Sequence, residues 1–185
     1  HLQLTSPAVW YAVHLVVPDT LDAAGVMVPG VPLIVSGRNR HVAWGITALG
    51  ADVTDFTAEM IAADGAHYLA GDAWEPLASR PLDLRAKVGP LRLPVPGAVR
   101  RETPNGPLLL TDTGGRRGFA VRWAPLLVPR LDMGVFGIES ARSVEDLRAR
   151  FRHMHTPTLN VVMADDAGRI AYQTVGRVPR RATPS

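Results

Sequence analysis

The chain has 185 residues, of which 46% are hydrophobic and 20% charged, and this balance excludes an intrinsically disordered polymer. It contains no cysteine, which excludes disulfides, cysteine-ligated zinc and a thiol nucleophile. The net charge of +3 comes mainly from scattered arginines without an aromatic RNA-binding pattern, so no nucleic-acid partner is predicted. No apolar run approaches the roughly 20 residues of a membrane span, so membrane insertion is not expected either.

Glycine and proline divide the chain into short β-prone runs. Its 17 glycines and 16 prolines separate segments rich in Val, Ile, Leu, Thr and aromatic residues. Short runs bounded by turn residues are typical of antiparallel sheets. The runs that we predict as strands are 8–17, 31–36, 41–48, 53–60, 67–69, 82–87 and 108–111. Asp64-Gly65 and Asn105-Gly106 have the composition of tight turns.

One segment has the clear pattern of an α-helix. Ser143 is a typical N-cap, and two acidic residues follow it in the first turn, where they suit the helix dipole. Leu147, Phe151 and Met154 then fall on one helical face, and Pro157 ends the pattern. We therefore predict a single helix that packs through this apolar face.

A hairpin is predicted after the helix. The apolar runs 159–164 and 169–174 flank a turn that begins with Asp165-Asp166. Because aspartate is common in turns, a structural role for these two acids is favoured over a catalytic one.

Two other polar motifs have a structural and a chemical interpretation. His153-x-His155 offers two imidazoles, but histidines near a helix end are more often surface residues than metal ligands. Asp52-Val53-Thr54-Asp55 offers two carboxylates and a backbone carbonyl, which are the oxygen ligands that calcium prefers. On its own, this second pattern is more often a solvated strand edge.

Gly45 and Asn160 are unusual for purely structural residues. Gly45 lies inside an apolar strand, where glycine indicates a bulge or the close approach of another backbone or a ligand. Asn160 lies among apolar residues, and a buried asparagine must find partners for its amide. It either holds a neighbouring loop or presents an N–H donor to a reacting group, and the residues alone leave both possibilities open.

Four blocks of residues, in a fixed order, extend over nearly the whole chain. They are His1-Leu2-Gln3-Leu4 with Pro7 and Trp10-Tyr11; Pro29-Gly30 and Pro32 with Gly37-Arg38-Asn39; Trp44-Gly45, Thr47, Asp52-Val53, Asp55 and Glu59; and Pro157, Asn160, Ala164-Asp165, Gly168, Ile170, Tyr172, Gly176, Pro179 and Arg181. As an ordered set they resemble the penicillin acylase (penicillin amidase) family of N-terminal-nucleophile hydrolases.

The resemblance implies an α+β fold, part of the four-layer αββα sandwich of N-terminal-nucleophile hydrolases and built mostly of antiparallel strands. Residues 1–185 would form a single fragment of the large (beta) subunit core. The small (alpha) subunit and the remainder of the large subunit would then be its protein partners. Members of the family are usually exported, so a periplasmic or secreted location is expected.

The resemblance also implies the chemistry. In the family a precursor cuts itself, and the serine that becomes the first residue of the large subunit attacks an amide and forms an acyl-enzyme. Its own α-amine, with a pKa of about 8, acts as the base. By match to the motifs, the backbone N–H of Ala48 and the side-chain amide of Asn160 donate to the oxyanion. His1 orients the serine, and Arg181 disfavours protonation of the amine.

Substrate and metal residues are implied by the same match. Leu2 and Ser36 fall at positions that line the acyl pocket. Asp52, the Thr54 carbonyl and Asp55 fall where the family binds a structural calcium, whose remaining ligands come partly from the small subunit.

Two departures from the family pattern stand out. The catalytic serine is expected well upstream of the segment that begins at His1, so the chain by itself is expected to be inactive. Asn105-Gly106-Pro107 stands where the family often has His-Gly-Pro, and we interpret it as a turn variant of little catalytic consequence.

The expected function is release of the acyl side chain from a small-molecule, nonpeptide amide, such as a β-lactam antibiotic or an acyl-homoserine lactone. The alternative is a noncatalytic acyl-binding or structural domain that has lost its nucleophile. A serine, threonine or cysteine upstream, preceded by a cleavable spacer, would distinguish the enzyme from the binding domain.

Overall fold

The computed structural model describes residues 5–112, 114–133 and 136–181. By its internal contacts the chain divides into two compact units. The first comprises the residues up to Asp52 together with those from Val128 onward, and the second is Val53–Leu127.

Within these described ranges, antiparallel strands account for most of the regular structure, with one α-helix, α1 (Val144–Phe151). The strands are, in chain order, β1 (Tyr11–Val17), β2 (Leu21–Met27), β3 (Ser36–Arg38), β4 (Val42–Ala48), β5 (Thr54–Met60), β6 (His67–Ala70), β7 (Ala73–Pro76), β8 (Ala78–Pro81), β9 (Arg85–Val88), β10 (Leu91–Pro94), β11 (Val99–Thr103), β12 (Gly106–Thr111), β13 (Arg117–Trp123), β14 (Leu159–Asp165) and β15 (Ile170–Val175). The predicted α+β class with mostly antiparallel strands is confirmed.

The first unit is a six-stranded antiparallel sheet in the order β1-β2-β3-β4-β14-β15. Side chains of a strand alternate between its two faces, and one face of this sheet packs against α1. The buried residues of this core are Ala23, Ile34, Val42, Trp44, Ile138, Ala141, Val144, Leu147, Phe151, Met154, Leu159, Val161, Met163 and Val175. Leu147 and Phe151 therefore confirm the predicted apolar face, whereas Met154 is buried in the same core but lies beyond the last residue of α1.

Helix α1 is fixed at its N-terminus by two oxygen acceptors. The Ser143 hydroxyl accepts from the Asp146 N–H at 3.1 Å, as the predicted N-cap requires. Asp165, the last residue of β14 before the hairpin turn, accepts from the Val144 N–H at 3.0 Å and from the Arg169 guanidinium at 2.8 Å. Both acceptors satisfy backbone donors that the helix itself leaves without partners. The carboxylate of Asp165 thus ties the helix to the β14–β15 hairpin.

The strand β2 and the region before β3 differ from the sequence prediction. The sequence predicts a strand over 31–36, but the chain turns there and strand pairing begins at Ser36. Gly25 and Gly37 face each other across β2 and β3, and a Cβ on Gly37 would collide with the Ala24 carbonyl and approach the fully buried Ile34 side chain to 2.6 Å. The low β-propensity of such glycines is overridden here by close packing.

The second unit contains a five-stranded sheet, β5-β13-β12-β11-β8, and the hairpins β6-β7 and β9-β10. Its small core cluster consists of Ile61, Tyr68 and Leu77.

The predicted turn at Asn105-Gly106 belongs to this unit. The Asn105 amide and the Thr103 hydroxyl both donate to the buried Glu59 carboxylate at 2.9 Å. Gly106 has φ +125°, and a Cβ there would collide with the Val121 carbonyl. The turn is thus fixed from both sides.

Within the described residues, no helix is long and apolar enough to cross a bilayer.

Candidate functional site

Strands β4 and β14 bring Ala48 and Asn160 together, although 112 residues separate them in sequence. The two strands pair antiparallel, with Asn160 opposite Thr47 and Leu159 opposite Ala48. The Asn160 Nδ2 donates to the Ala48 carbonyl at 3.2 Å and to the Thr47 hydroxyl at 3.1 Å. The two residues that the sequence predicts as oxyanion donors therefore lie next to each other.

The backbone N–H of Ala48 faces the edge of β4 that lies away from β14. Ile46, two residues earlier, donates its N–H in that direction, to the Ser36 hydroxyl at 3.2 Å. Every second N–H of a strand has the same direction, and the N–H and C=O of one residue face the same side. Because the Asn160 amide reaches the Ala48 carbonyl, it approaches the side of Ala48 that also carries the N–H.

The site lies on the face of the sheet opposite the core. Leu159, Val161 and Met163 point into the core, whereas the residues between them point the other way. Asn160 is half-buried, and its neighbours on this face, Val162 and Tyr172, are 57% and 61% exposed. We call this surface the open face of the sheet.

Tyr172 contacts the second end of the Asn160 amide. Its hydroxyl lies 2.6 Å from the Asn160 Oδ1. Tyr172 pairs with Val162 across β15 and β14, so it lies diagonally from Asn160 on the open face. The sequence analysis names Tyr172 only as part of a motif. The two-residue alternation of the predicted hairpin could have indicated that Tyr172 and Asn160 lie on the same face.

Arg181 and Asp52 form an ion pair, although the sequence assigns them to different roles. The guanidinium Nη2 lies 3.0 Å from the Asp52 carboxylate, and Nη1 donates to the Asp52 backbone carbonyl at 3.5 Å. The Arg181 side chain is only 24% exposed. A residue matched to the catalytic machinery is thus held by one matched to the calcium site.

The remaining residues matched to the calcium site, Thr54 and Asp55, are the first two residues of β5. Two carboxylates and a carbonyl suit a hard cation chemically, but calcium takes six to eight oxygen ligands. Among the described residues, no group of three or more His, Cys, Asp or Glu side chains is arranged to hold a metal ion. The donor chemistry therefore fits calcium only if further ligands join these three.

The other polar motifs have structural partners. The His155 Nδ1 accepts from the Asp132 N–H at 3.2 Å, next to the end of the helix. Asp165 caps α1, and Asp166 lies 3.0 Å from the His41 Nδ1. The hydrogen bond from the Val144 N–H is the main cause that lowers the pKa of Asp165 to about 2, and the bonds from Arg169 act in the same direction. The structural interpretation of the aspartates is confirmed.

The structure places Ser36 and Gly45 within the sheet in ways that the sequence does not predict. The Ser36 hydroxyl accepts a backbone N–H where β3 no longer supplies a carbonyl. Gly45 pairs with Val162 in unbroken register, so the bulge is wrong. A Cβ on Gly45 would meet only the Val162 side chain, at 3.4 Å. His1 and Leu2, two further predicted site residues, lie outside the described residues.

Comparisons with known proteins agree on one family. The family Penicillin amidase matches residues 1–185. The acyl-homoserine lactone acylase QuiP of Pseudomonas aeruginosa is 32% identical over 196 residues, which cover 98% of this chain and 22% of that protein. The acyl-homoserine lactone acylase PvdQ of Pseudomonas fluorescens is 27% identical over 176 residues, covering 92% of this chain and 23% of its own length.

A solved structure has the same fold. The thermostable penicillin G acylase from Alcaligenes faecalis superposes with a TM-score of 0.72 at 22% identity, over 92% of this chain and 30% of that one. The chain thus spans about a fifth to a third of the proteins that it matches. On the match along its whole length, the chain belongs to the penicillin amidase family.

Proposed function

We propose that the protein containing this chain is an amidohydrolase that removes the acyl side chain from a nonpeptide amide. The observation that carries the proposal is the Asn160 amide, which lies 3.2 Å from Ala48 across two paired strands on the open face. Relatives named as acyl-homoserine lactone acylases favour an acyl-homoserine lactone as substrate over the side chain of a β-lactam.

The reaction that we propose passes through an acyl-enzyme. A serine that these residues do not supply, the first residue of a large subunit released by autoproteolysis, attacks the amide carbonyl while its α-amine takes the proton. The N–H of Ala48 and the Nδ2 of Asn160 donate to the oxygen on which negative charge develops. Each such donor contributes roughly 3–4 kcal/mol to stabilisation of the transition state. The α-amine then gives the proton to the substrate nitrogen, the C–N bond breaks and the amine leaves. Water finally hydrolyses the ester, which releases the acid and restores the serine hydroxyl.

Two further residues would set the state of the nucleophile. His1 would orient the serine hydroxyl and the amine. Arg181 would disfavour protonation of the amine, because a fixed positive charge opposes a second one nearby. The ion pair with Asp52 holds the guanidinium in one place, and the carboxylate offsets part of its charge. Without the serine, residues 1–185 alone are expected to be inactive.

The remaining assignments are proposals of the same kind. Leu2 and Ser36 would line the acyl pocket. Asp52, the Thr54 carbonyl and Asp55 would contribute to a structural calcium site, completed by ligands from the small subunit. The small subunit and the rest of the large subunit would be the protein partners, and the periplasm or the exterior of the cell would be the location.

The proposal is tested with the full-length, processed protein. It is incubated with N-acyl-homoserine lactones of graded chain length and with penicillin G, and the released acid and amine are identified by mass spectrometry. Asn160→Ala is expected to lower turnover roughly 100- to 1,000-fold. Gln173→Ala, an amide on the adjacent strand whose alternation directs it to the opposite face, is the matched control and should stay near the wild-type rate.

Two outcomes would contradict the proposal. Normal turnover by Asn160→Ala would remove the asparagine from the reaction. Saturable binding of acyl compounds without release of acid would instead support the noncatalytic acyl-binding domain.

A further inference from the structure

We propose that Tyr172 is a positioning residue that holds the Asn160 amide with its N–H groups directed toward Ala48. The proposal rests on the proposed function for its catalytic consequence, while its structural part concerns the orientation of one side chain. The hydroxyl–Oδ1 distance of 2.6 Å makes this a short hydrogen bond.

An asparagine amide has two ends of nearly the same shape but opposite hydrogen-bonding character. One end is an acceptor and the other carries two donors, so a half-turn of the side chain would replace an N–H donor by an oxygen. The Ala48 carbonyl can only accept, which requires the NH₂ end of Asn160 to face it at 3.2 Å. The oxygen end therefore faces Tyr172, and the phenol O–H must be the donor of that bond.

Both Nδ2 hydrogens of Asn160 already have acceptors in the described chain. One acceptor is the Ala48 backbone carbonyl and the other is the Thr47 hydroxyl. To donate to a reacting oxygen, the amide has to give up one of these bonds. Thr47 is the one that can yield, because its hydroxyl rotates with its side chain, whereas the Ala48 carbonyl is fixed in the backbone of β4.

During the reaction, then, Asn160 keeps its bond to Ala48 and loses its bond to Thr47. Tyr172 becomes the second fixed contact, and it holds the opposite end of the amide. Donation to the Oδ1 also polarises the amide, which strengthens its N–H groups as donors. Tyr172 is 61% exposed, so burial of its ring contributes little to stability. The hydrogen bond of its hydroxyl to Asn160 is the contact that explains a tyrosine at this position.

The test is Tyr172→Phe in the full-length, processed protein, which removes the hydroxyl and keeps the ring. We expect kcat to fall roughly three- to tenfold, the effect of one neutral hydrogen bond, with KM within about twofold of wild type. Tyr11→Phe is the matched control, because the Tyr11 hydroxyl contacts only the Met27 sulfur, at 3.8 Å, among the bonds of the described residues, and kcat should not change.

A second variant separates positioning from a general structural effect. If Tyr172 acts through Asn160, then Tyr172→Phe introduced into the Asn160→Ala protein should cause no further loss of kcat. A full additional loss in that background would overturn the proposal. An unchanged kcat of the single Tyr172→Phe variant would overturn it as well.

Crystal structures of wild type and Tyr172→Phe give a readout that needs no activity. We expect the Asn160 side chain to occupy a single rotamer in the wild type and to take up a second rotamer in the variant. The same rotamer in both would contradict positioning by Tyr172. Should the wild type hydrolyse no acyl amide, the proposed function fails, and the rotamer of Asn160 still decides whether Tyr172 positions it.

Discussion

The two faces of the six-stranded sheet are made by alternate residues of the same strands, yet one face is buried in the core and the other is open. On one face, Leu159, Val161 and Met163 of β14 are buried beneath the helix side of the unit. On the other, Asn160 and Val162 of the same strand face outward. The alternation of a strand thus separates the buried core from the proposed site within one residue step, and substitutions on the two faces should affect different properties.

The largest expected effect is on the core face. Phe151→Ala removes a helix residue that is 2% exposed and should lower the local unfolding free energy by roughly 3–5 kcal/mol. Ile170→Ala, on the open face and 84% exposed, is the matched truncation and should have little effect. Hydrogen exchange of the α1 and β14 amides in the full-length protein measures the local value. Equal losses in both variants would mean that the two faces are not distinct.

The next prediction concerns the proposed calcium site, where Asp52 also forms an ion pair with Arg181, a residue matched to the catalytic machinery. If the folded protein binds calcium through the proposed ligands, calcium at about 100 times its Kd should stabilise it by about 2.7 kcal/mol. The thermal midpoint of the full-length protein should then fall with a chelator and recover with calcium. Asp55→Asn should lose this response, whereas the exposed Asp72→Asn should keep it. An identical midpoint with and without chelator in the wild type would argue against the ion.

A smaller effect is expected at acidic pH from Asp165. Its pKa is lowered to about 2, mainly by the Val144 N–H, from an ordinary value of 3.8. Since the folded state has the lower pKa, the contribution to stability is complete above about pH 4 and is lost as the pH falls toward 2. The thermal midpoint of Asp165→Asn should be below that of wild type at pH 7, and the gap should close near pH 2.

Asp166→Asn is the control for this experiment, because Asp166 is the neighbouring aspartate at the same hairpin turn. Its side chain is 58% exposed and, among the side chains described, contacts only the His41 ring, at 3.0 Å. It should show a much smaller gap. A constant gap for Asp165→Asn from pH 7 to pH 2 would mean that the charge of Asp165 does not hold the helix.

The hydrophobic periodicity made the core face predictable from the sequence. The helix from Ser143, its apolar residues and the β14–β15 hairpin follow from local patterns, because each depends on neighbours a few residues away. Strand β2, with the sequence LDAAGVM, was not predictable in this way. Its glycine packs against Gly37 of β3, and such pairing depends on contacts distant in sequence.

The open face shows a different limit, which two asparagines illustrate. Asn39 uses its whole amide within the fold, donating to the Glu139 and Ala141 carbonyls and accepting from two backbone N–H groups. Asn160 lies on the open face of β14, and its Nδ2 donates to the Thr47 hydroxyl and the Ala48 carbonyl. Composition alone could not distinguish these two. Both belong to the family motifs, and the resemblance assigns the oxyanion role to Asn160. That motif could not reveal the contact with Tyr172, because the contact depends on strand register.

The smallest expected effect on stability is that of Gly45→Ala on the open face, and Gly37→Ala on the core face is its comparison. Gly45→Ala adds a Cβ that meets only Val162 at 3.4 Å on the open face, so the unfolding free energy should change by less than about 0.5 kcal/mol. Gly37→Ala places its Cβ against the Ala24 carbonyl and Ile34 and should destabilise the sheet severely. If the reacting amide approaches β4 on the open face, Gly45→Ala should still lower kcat/KM. A variant of Gly45 with normal stability and normal kcat/KM would show that the substrate does not need the space which this glycine leaves.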